Sequence, residues 1–253
     1  MATSRSKTNR SLDDPALYLV AIDDPGVVDQ RQRIRVRRAA DTLRRMGFDY
    51  DPTDISTAFD AADQAHGRIH ADALDISAHA RTVLYIQHLD DALGERIDEA
   101  GWACLDEAIL TPALELPPGA IPGATDALAD VKALGLPIGL VSNAGTTPGF
   151  VLTEILDRLG LLRFFDATIF SDEVEVAKPA PAIFERALDE FGCPPEAAAF
   201  VGDQPVLDVL GPRSAGTWSV QFGSLASDGI EPHVRINHLS ELLPALRSLG
   251  LIG

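Results

Sequence analysis

With 253 residues and a formal net charge of −17, the chain can bury one large core, or one core with an inserted subdomain. The acidic balance argues against nucleic acid as the main partner, and no apolar run reaches the roughly 18 residues that a membrane span needs. The two cysteines, Cys104 and Cys193, lie far apart, and the polar, basic residues 1–10 have no apolar stretch behind them. The resulting expectation is a reducing, cytoplasmic setting with no secretory signal, disulfide framework or CxxC site.

Residues 1–14 have the composition of a disordered arm. Residues 17–22 (Leu-Tyr-Leu-Val-Ala-Ile) form a short apolar run ending on Asp23-Asp24-Pro25-Gly26, which reads as a buried strand and a turn. From residue 30 to 113 the composition turns helical, with stretches at 31–46, 53–66, 70–93 and 94–110. The first of these holds seven arginines between Arg31 and Arg45, whose plain reading is a solvated helix face. A face turned toward a cleft would instead steer an anionic substrate. His66 and His70 stand four apart, a metal-ligand spacing on a helix, but no third ligand completes a set in the sequence. Trp102 and Trp218 read as packing residues.

After Leu116-Pro117-Pro118-Gly119 the pattern alternates. A helix over 123–134 ends at Gly135, and a strand over 138–142 runs into Ser142-Asn143. Pro148 suits a first helical position with Thr147 as its cap, so this helix start is a candidate anion site. Helices are expected at 148–159, 181–191, 206–215 (interrupted by Gly211-Pro212) and 239–249, with strands at 167–170, 199–201 and 217–221. Strands alternating with helices of about 10–15 residues indicate βαβ units and a parallel sheet.

Three sites follow strands, where open α/β folds bind ligands. Ser142 delivers a hydroxyl. Lys178, one of only three lysines, sits in the proline-stiffened run Val176-Ala177-Lys178-Pro179-Ala180-Pro181 and offers a compact charge for phosphate. Gly202-Asp203-Gln204-Pro205-Val206-Leu207-Asp208 ends a strand on one acid and carries a second five residues on. Two carboxylates about 4 Å apart repel by about 4 kcal/mol at an effective dielectric near 20, so a hard divalent cation is the natural offset. The plainer reading makes Asp208 a helix cap.

The order Ser142, then Lys178-Pro179, then Gly202-Asp203 with Asp208, each after its own strand, resembles the haloacid dehalogenase (HAD) superfamily over residues 115–221. The resemblance implies a Rossmann-like α/β core, a parallel sheet flanked by helices, built from 15–29 and 114–253. It also implies that 30–113 is an inserted α-helical cap. The implied activity is a Mg²⁺-dependent phosphatase of small phosphorylated metabolites, acting through an aspartyl-phosphate. Ser142 and Asn143 would bind the phosphoryl group, and Lys178 would neutralise charge on it and on the nucleophile. Asp203 would hold Mg²⁺, with Asp208 supporting it directly or from behind.

One motif departs from that pattern. The family places Asp-x-Asp-x-Thr after its first strand, whereas this chain has Ile22-Asp23-Asp24-Pro25-Gly26-Val27. Asp23 or Asp24 can supply the nucleophile, and Asp23 a metal ligand. The second carboxylate, a general acid/base, is replaced by Pro25 or Gly26 in the two registers. Two other readings follow: a catalytically impaired binding or regulatory protein, and a C–halogen hydrolase that needs no second carboxylate.

Overall fold

A computed structural model describes residues 25–253; the expected arm at 1–14, the strand at 17–22, Asp23 and Asp24 lie outside the described residues. The chain enters through α1 (Pro25–Arg45), which opens ahead of the expected start at 30. Helices α2 (Pro52–Ala71), α3 (Ala78–Leu89) and α4 (Glu99–Leu110) follow. Each of these three starts where a side-chain oxygen captures a free amide. Asp51 accepts from the Thr53 N–H, Ser77 from the Ala80 N–H and Asp98 from the Gly101 N–H, each worth about 1 kcal/mol. The four helices enclose their own apolar core of Leu43, Ile55, Phe59, Ile86, Leu105 and Ile109. Gly101 leaves room for the Met46 side chain just past α1, whose Cε would stand 2.6 Å from an added Cβ.

The remainder is α/β. Helix α5 (Ala124–Ala133) leads to β1 (Gly139–Ser142), α6 (Gly149–Arg158), β2 (Ala167–Phe170), the short α7 (Ser171–Val174) and α8 (Pro181–Phe191). Strand β3 (Ala199–Gly202) runs into a π-helical turn (Pro205–Leu210) and α9 (Gly211–Ser214), then β4 (Trp218–Phe222), β5 (Val234–Ile236) and α10 (Leu242–Ser248). All paired strands are parallel. β1 pairs with β2 from Gly139↔Ala167 to Ser142↔Phe170, and β4 lies between β3 and β5. Among the described residues no strand joins β1 to β3. Apolar side chains of the flanking helices cover these strands, with Leu152, Leu156 and Phe170 in one cluster and Ile169, Ile183 and Phe184 in another. The result is the Rossmann-like α/β arrangement of parallel strands flanked by helices. No described helix is long and apolar enough to cross a membrane.

Several details differ from the sequence expectations. Helix α2 runs unbroken through His70, so His66 and His70 share one helix face. The sequence marks neither β5, which has three residues, nor α7, which is a single helical turn. Gly211-Pro212 does not interrupt a helix; it begins a new α-helical turn as the π turn ends. The arginines of α1 are not simply a solvated face. Arg35 is 4% exposed and donates to Ile109 O (3.0 Å) and Thr146 O (3.2 Å), and Arg38 donates to Glu107 O (3.0 Å).

Candidate functional site

The carboxyl ends of β1 and β3 and the loop after α7 meet through buried polar side chains. Ser142 ends β1 fully buried, its hydroxyl donating to Asn143 O at 3.2 Å. Asn143 makes a two-way amide contact with the main chain of Lys178. Its Oδ1 accepts the Lys178 N–H at 2.7 Å, and its Nδ2 donates to Lys178 O at 3.1 Å. An asparagine suits this position because one side chain supplies both a donor and an acceptor. The Lys178 Nζ then donates to Asp208 Oδ1 at 2.7 Å, with both side chains at most 6% exposed.

Asp208 is spent inside the site. Its second oxygen accepts the Gln204 N–H at 3.0 Å, which closes the π turn onto the end of β3. Gly202 is obligatory there: a Cβ would lie 2.4 Å from Asp208 Cγ. Asp208 closes the start of its own helical turn through Gln204 and is at the same time the buried counter-charge of Lys178. The repulsion expected between Asp203 and Asp208 is therefore offset at least in part by an ammonium. Asp203 follows Gly202 and is 7% exposed. Its main-chain carbonyl accepts from Gln221 Nε2 at 2.8 Å, and the same amide donates to Leu225 O at 2.7 Å. Gln221 went unnoticed in the sequence, although a glutamine inside the apolar strand Trp218–Phe222 was a usable signal.

The loop after Ser142 is held from several directions. Ala144 N–H donates to Ser171 Oγ at 2.7 Å, Arg35 donates to Thr146 O at 3.2 Å, and Arg81 donates to Gly145 O. Two guanidinium groups of the helical layer thus grip main-chain carbonyls just past the candidate phosphoryl-binding residues. Thr147 does not cap α6. The Gly149 N–H donates to both oxygens of Asp172 at 3.2 Å, so an internal carboxylate takes the expected anion position. Burial raises the Asp172 carboxyl pKa, and the nearby Arg81 charge and the Gly149 N–H pull it back.

Ser142, Asn143, Lys178 and Asp208 are therefore linked by direct or next-residue contacts, and Asp203 joins them through Gly202. Asp23 and Asp24 lie outside the described residues. The oxygen donors of Asp203 and of neighbouring main-chain carbonyls are hard ligands that suit Mg²⁺. Asp208, with one oxygen on Lys178 and the other on Gln204, fits a supporting place behind it.

The model of the family described as "haloacid dehalogenase-like hydrolase" matches residues 35–216. Phosphoglycolate phosphatase of Shigella dysenteriae is 27% identical over 240 residues, which cover 81% of this chain and 92% of the relative. Glyceraldehyde 3-phosphate phosphatase of Methanothermobacter thermautotrophicus is 38% identical over 118 residues, so the chain spans about half (51%) of that relative's length. Two solved structures share the fold. A 2-haloacid dehalogenase from Pseudomonas syringae superposes with a TM-score of 0.63 at 20% identity, over 93% of this chain and 95% of its own. A HAD phosphatase from Thermococcus onnurineus gives a TM-score of 0.52 at 20% identity, over 87% and 90%. With its model matched across most of the chain and its fold shared by these structures, the protein belongs to the haloacid dehalogenase-like hydrolases.

Proposed function

We propose that this protein is a Mg²⁺-dependent phosphatase of small phosphorylated metabolites, with 114–253 and 15–29 as its catalytic core and the helical layer as its cap. The observation that carries this reading is the buried chain of contacts Asn143–Lys178–Asp208 beside Ser142 and Asp203. It gathers one hydroxyl and one carboxylate at the ends of β1 and β3 with one ammonium from the loop after α7. Phosphatases among the relatives, phosphoglycolate phosphatase above all, support the substrate class.

In this reading Asp23 or Asp24 attacks phosphorus, the P–O bond to the alcohol breaks, and water then cleaves the acyl-phosphate to give phosphate and the free carboxylate. Ser142 and Asn143 orient the phosphoryl oxygens. Lys178, aimed by Asp208, offsets their charge, and such positioning supplies most of the rate in phosphoryl transfer. Mg²⁺, when bound by Asp203 with Asp23 and a main-chain carbonyl, adds further neutralisation of the phosphoryl charge. The departing alkoxide needs a proton, and Pro25, the first residue of α1, cannot give one. Loss of a general acid costs about 10²- to 10⁴-fold. Aryl phosphates, whose leaving group needs no proton, should therefore turn over faster than alkyl phosphates by a margin in that range.

The test is steady-state hydrolysis of an aryl and an alkyl phosphate with Mg²⁺ by the parent, Asp23→Asn and Asp24→Asn. The reading expects parent activity and its loss in one of the two variants. Activity retained in both variants would refute the nucleophile. The missing carboxylate at Pro25 also favours a second reading, a binding protein that keeps the phosphate pocket without turnover. An inert parent whose Tm still rises with phosphate would select that reading.

A further inference from the structure

We propose that His66, His70 and Asp75 form a binding site for a divalent transition metal of the zinc class, separate from the Ser142–Lys178–Asp203 site. The two histidines lie one turn apart on the same face of α2, and the chain reverses to bring Asp75 back over them. His66 Nε2 stands 2.7 Å from Asp75 Oδ1 and His70 Nε2 stands 2.9 Å from Oδ2. All three ligand atoms lie within 4.8 Å of one another, and all three residues are buried. The sequence shows the histidine pair but not its third member, which only the fold supplies.

An independent observation points to a ligand. His70 Nε2 is buried, its side chain 6% exposed, and meets Asp75 Oδ2 at 2.9 Å outside hydrogen-bond geometry. A buried polar atom left this way is costly unless something satisfies it. Two imidazoles and one carboxylate suit zinc, cobalt or nickel and match magnesium poorly, since magnesium prefers oxygen. The carboxylate is itself oriented: the Ile76 N–H donates to Oδ1 at 2.7 Å and the Ser171 hydroxyl donates to Oδ2. Outer partners of this kind hold metal-ligating carboxylates in place.

Its position gives it a consequence. The Asp75 N–H donates to Glu175 O at 3.2 Å and the Ala177 N–H donates to Ala73 O at 3.0 Å, so this loop is stitched to the segment that leads into Lys178. Ser171 links the same carboxylate to the amide of Ala144, two residues past Ser142. A metal here ties α2 to both loops of the candidate phosphoryl site. One residue opposes it: Arg81 Nη2 lies 3.6 Å from Asp75 Oδ1, and its charge competes with a cation for the carboxylate.

The test uses the full chain after chelation, titrated with Zn²⁺ and with Co²⁺ under excess Mg²⁺. Expected are one Zn²⁺ per chain by elemental analysis, visible absorption from low-coordinate Co²⁺, and a rise in Tm with Zn²⁺. His70→Gln should weaken Zn²⁺ by more than the roughly 10- to 100-fold typical of losing an outer partner, while its Tm response to Mg²⁺ stays as in the parent. Arg81→Met keeps all three ligands and should bind Zn²⁺ more tightly than the parent. Absence of stoichiometric Zn²⁺ in the parent, an unchanged Co²⁺ spectrum in His70→Gln, or unimproved affinity in Arg81→Met would each overturn the proposal. None of these readouts depends on phosphatase turnover.

Discussion

Two buried polar clusters lie on either side of the junction between the helical layer and the α/β region, and they are finished differently. Around Lys178 the groups close on one another: ammonium on carboxylate, carboxylate on a main-chain amide, asparagine on the N–H and C=O of one residue. Around Asp75 more atoms are left over: His70 Nε2, Arg81 Nε and Arg81 Nη2 are buried outside hydrogen-bond geometry, against Gln221 Oε1 beside Asp203. The first cluster fixes the shape of a loop assembly through its own contacts. The second has the chemistry of a site that a ligand completes. Ser171 joins the two, accepting from Ala144 on one side and donating to Asp75 on the other.

The sharpest way to break this contrast is to remove one half of the closed pair. Lys178→Met strands a buried carboxylate, and urea unfolding should register a loss of about 3–5 kcal/mol. The double change Lys178→Met with Asp208→Leu should recover much of that stability while aryl-phosphate turnover stays lost. Stability and function would thereby separate. Gly202→Ala comes next, because the new Cβ would press on Asp208 Cβ and Cγ at 2.5 and 2.4 Å, close to the backbone where no rotamer relieves it. Overpacking of this sort costs about 1–3 kcal/mol, and turnover should fall with it. Ser171→Ala, which cuts the link between the clusters, should cost about 1–2 kcal/mol through the buried Ala144 amide it leaves unpaired. A Ser171→Ala protein as stable as the parent would show that the two clusters are independent.

The smallest effect belongs to a solvated pair used as a control. Asp166 accepts from Lys132 Nζ and from the Ile138 N–H, both at 2.8 Å, and these bonds lower its pKa. A lowered folded-state pKa adds stability above the ordinary carboxylate value near 4, and that stability disappears as pH falls through the lower value. Asp166→Asn should therefore cost less than about 1 kcal/mol at pH 7, solvent screening included, and nothing at a pH below both values. Urea titrations at the two pH values measure the difference.

The closed cluster was legible in the sequence because its parts come in a fixed order, Ser142 and Asp203 at the ends of strands and Lys178 in a proline-stiffened loop past β2 and α7. Ser142 and Asp203 could be placed by the apolar runs that precede them, and Lys178 by the prolines that follow it at 179 and 181. The partner of Asp208 was not legible, since nothing in the spacing of two acids reveals a lysine 30 residues upstream. Strands β1 to β4 followed from apolar runs bounded by glycine and proline, whereas β5 has only three residues and no such frame. The open cluster was half visible. Spacing exposed His66 and His70, but Asp75 and Arg81 meet them through a chain reversal and a separate helix, which periodicity does not encode. Arg35 was misread for a similar reason: an arginine in a basic helix gives no local sign that it is buried against the carbonyls of Ile109 and Thr146.

The claim on which the functional account stands is that the Ser142, Lys178 and Asp203 loops together hold a phosphoryl group beside Mg²⁺. Thermal unfolding in Mg²⁺ with and without beryllium fluoride, a phosphoryl mimic, addresses it without requiring turnover. The account predicts a rise in Tm on adding beryllium fluoride to the parent and no rise in Lys178→Met or Asp203→Asn, each compared with its own Mg²⁺ baseline. An equal rise in all three proteins, or none in the parent, would contradict it.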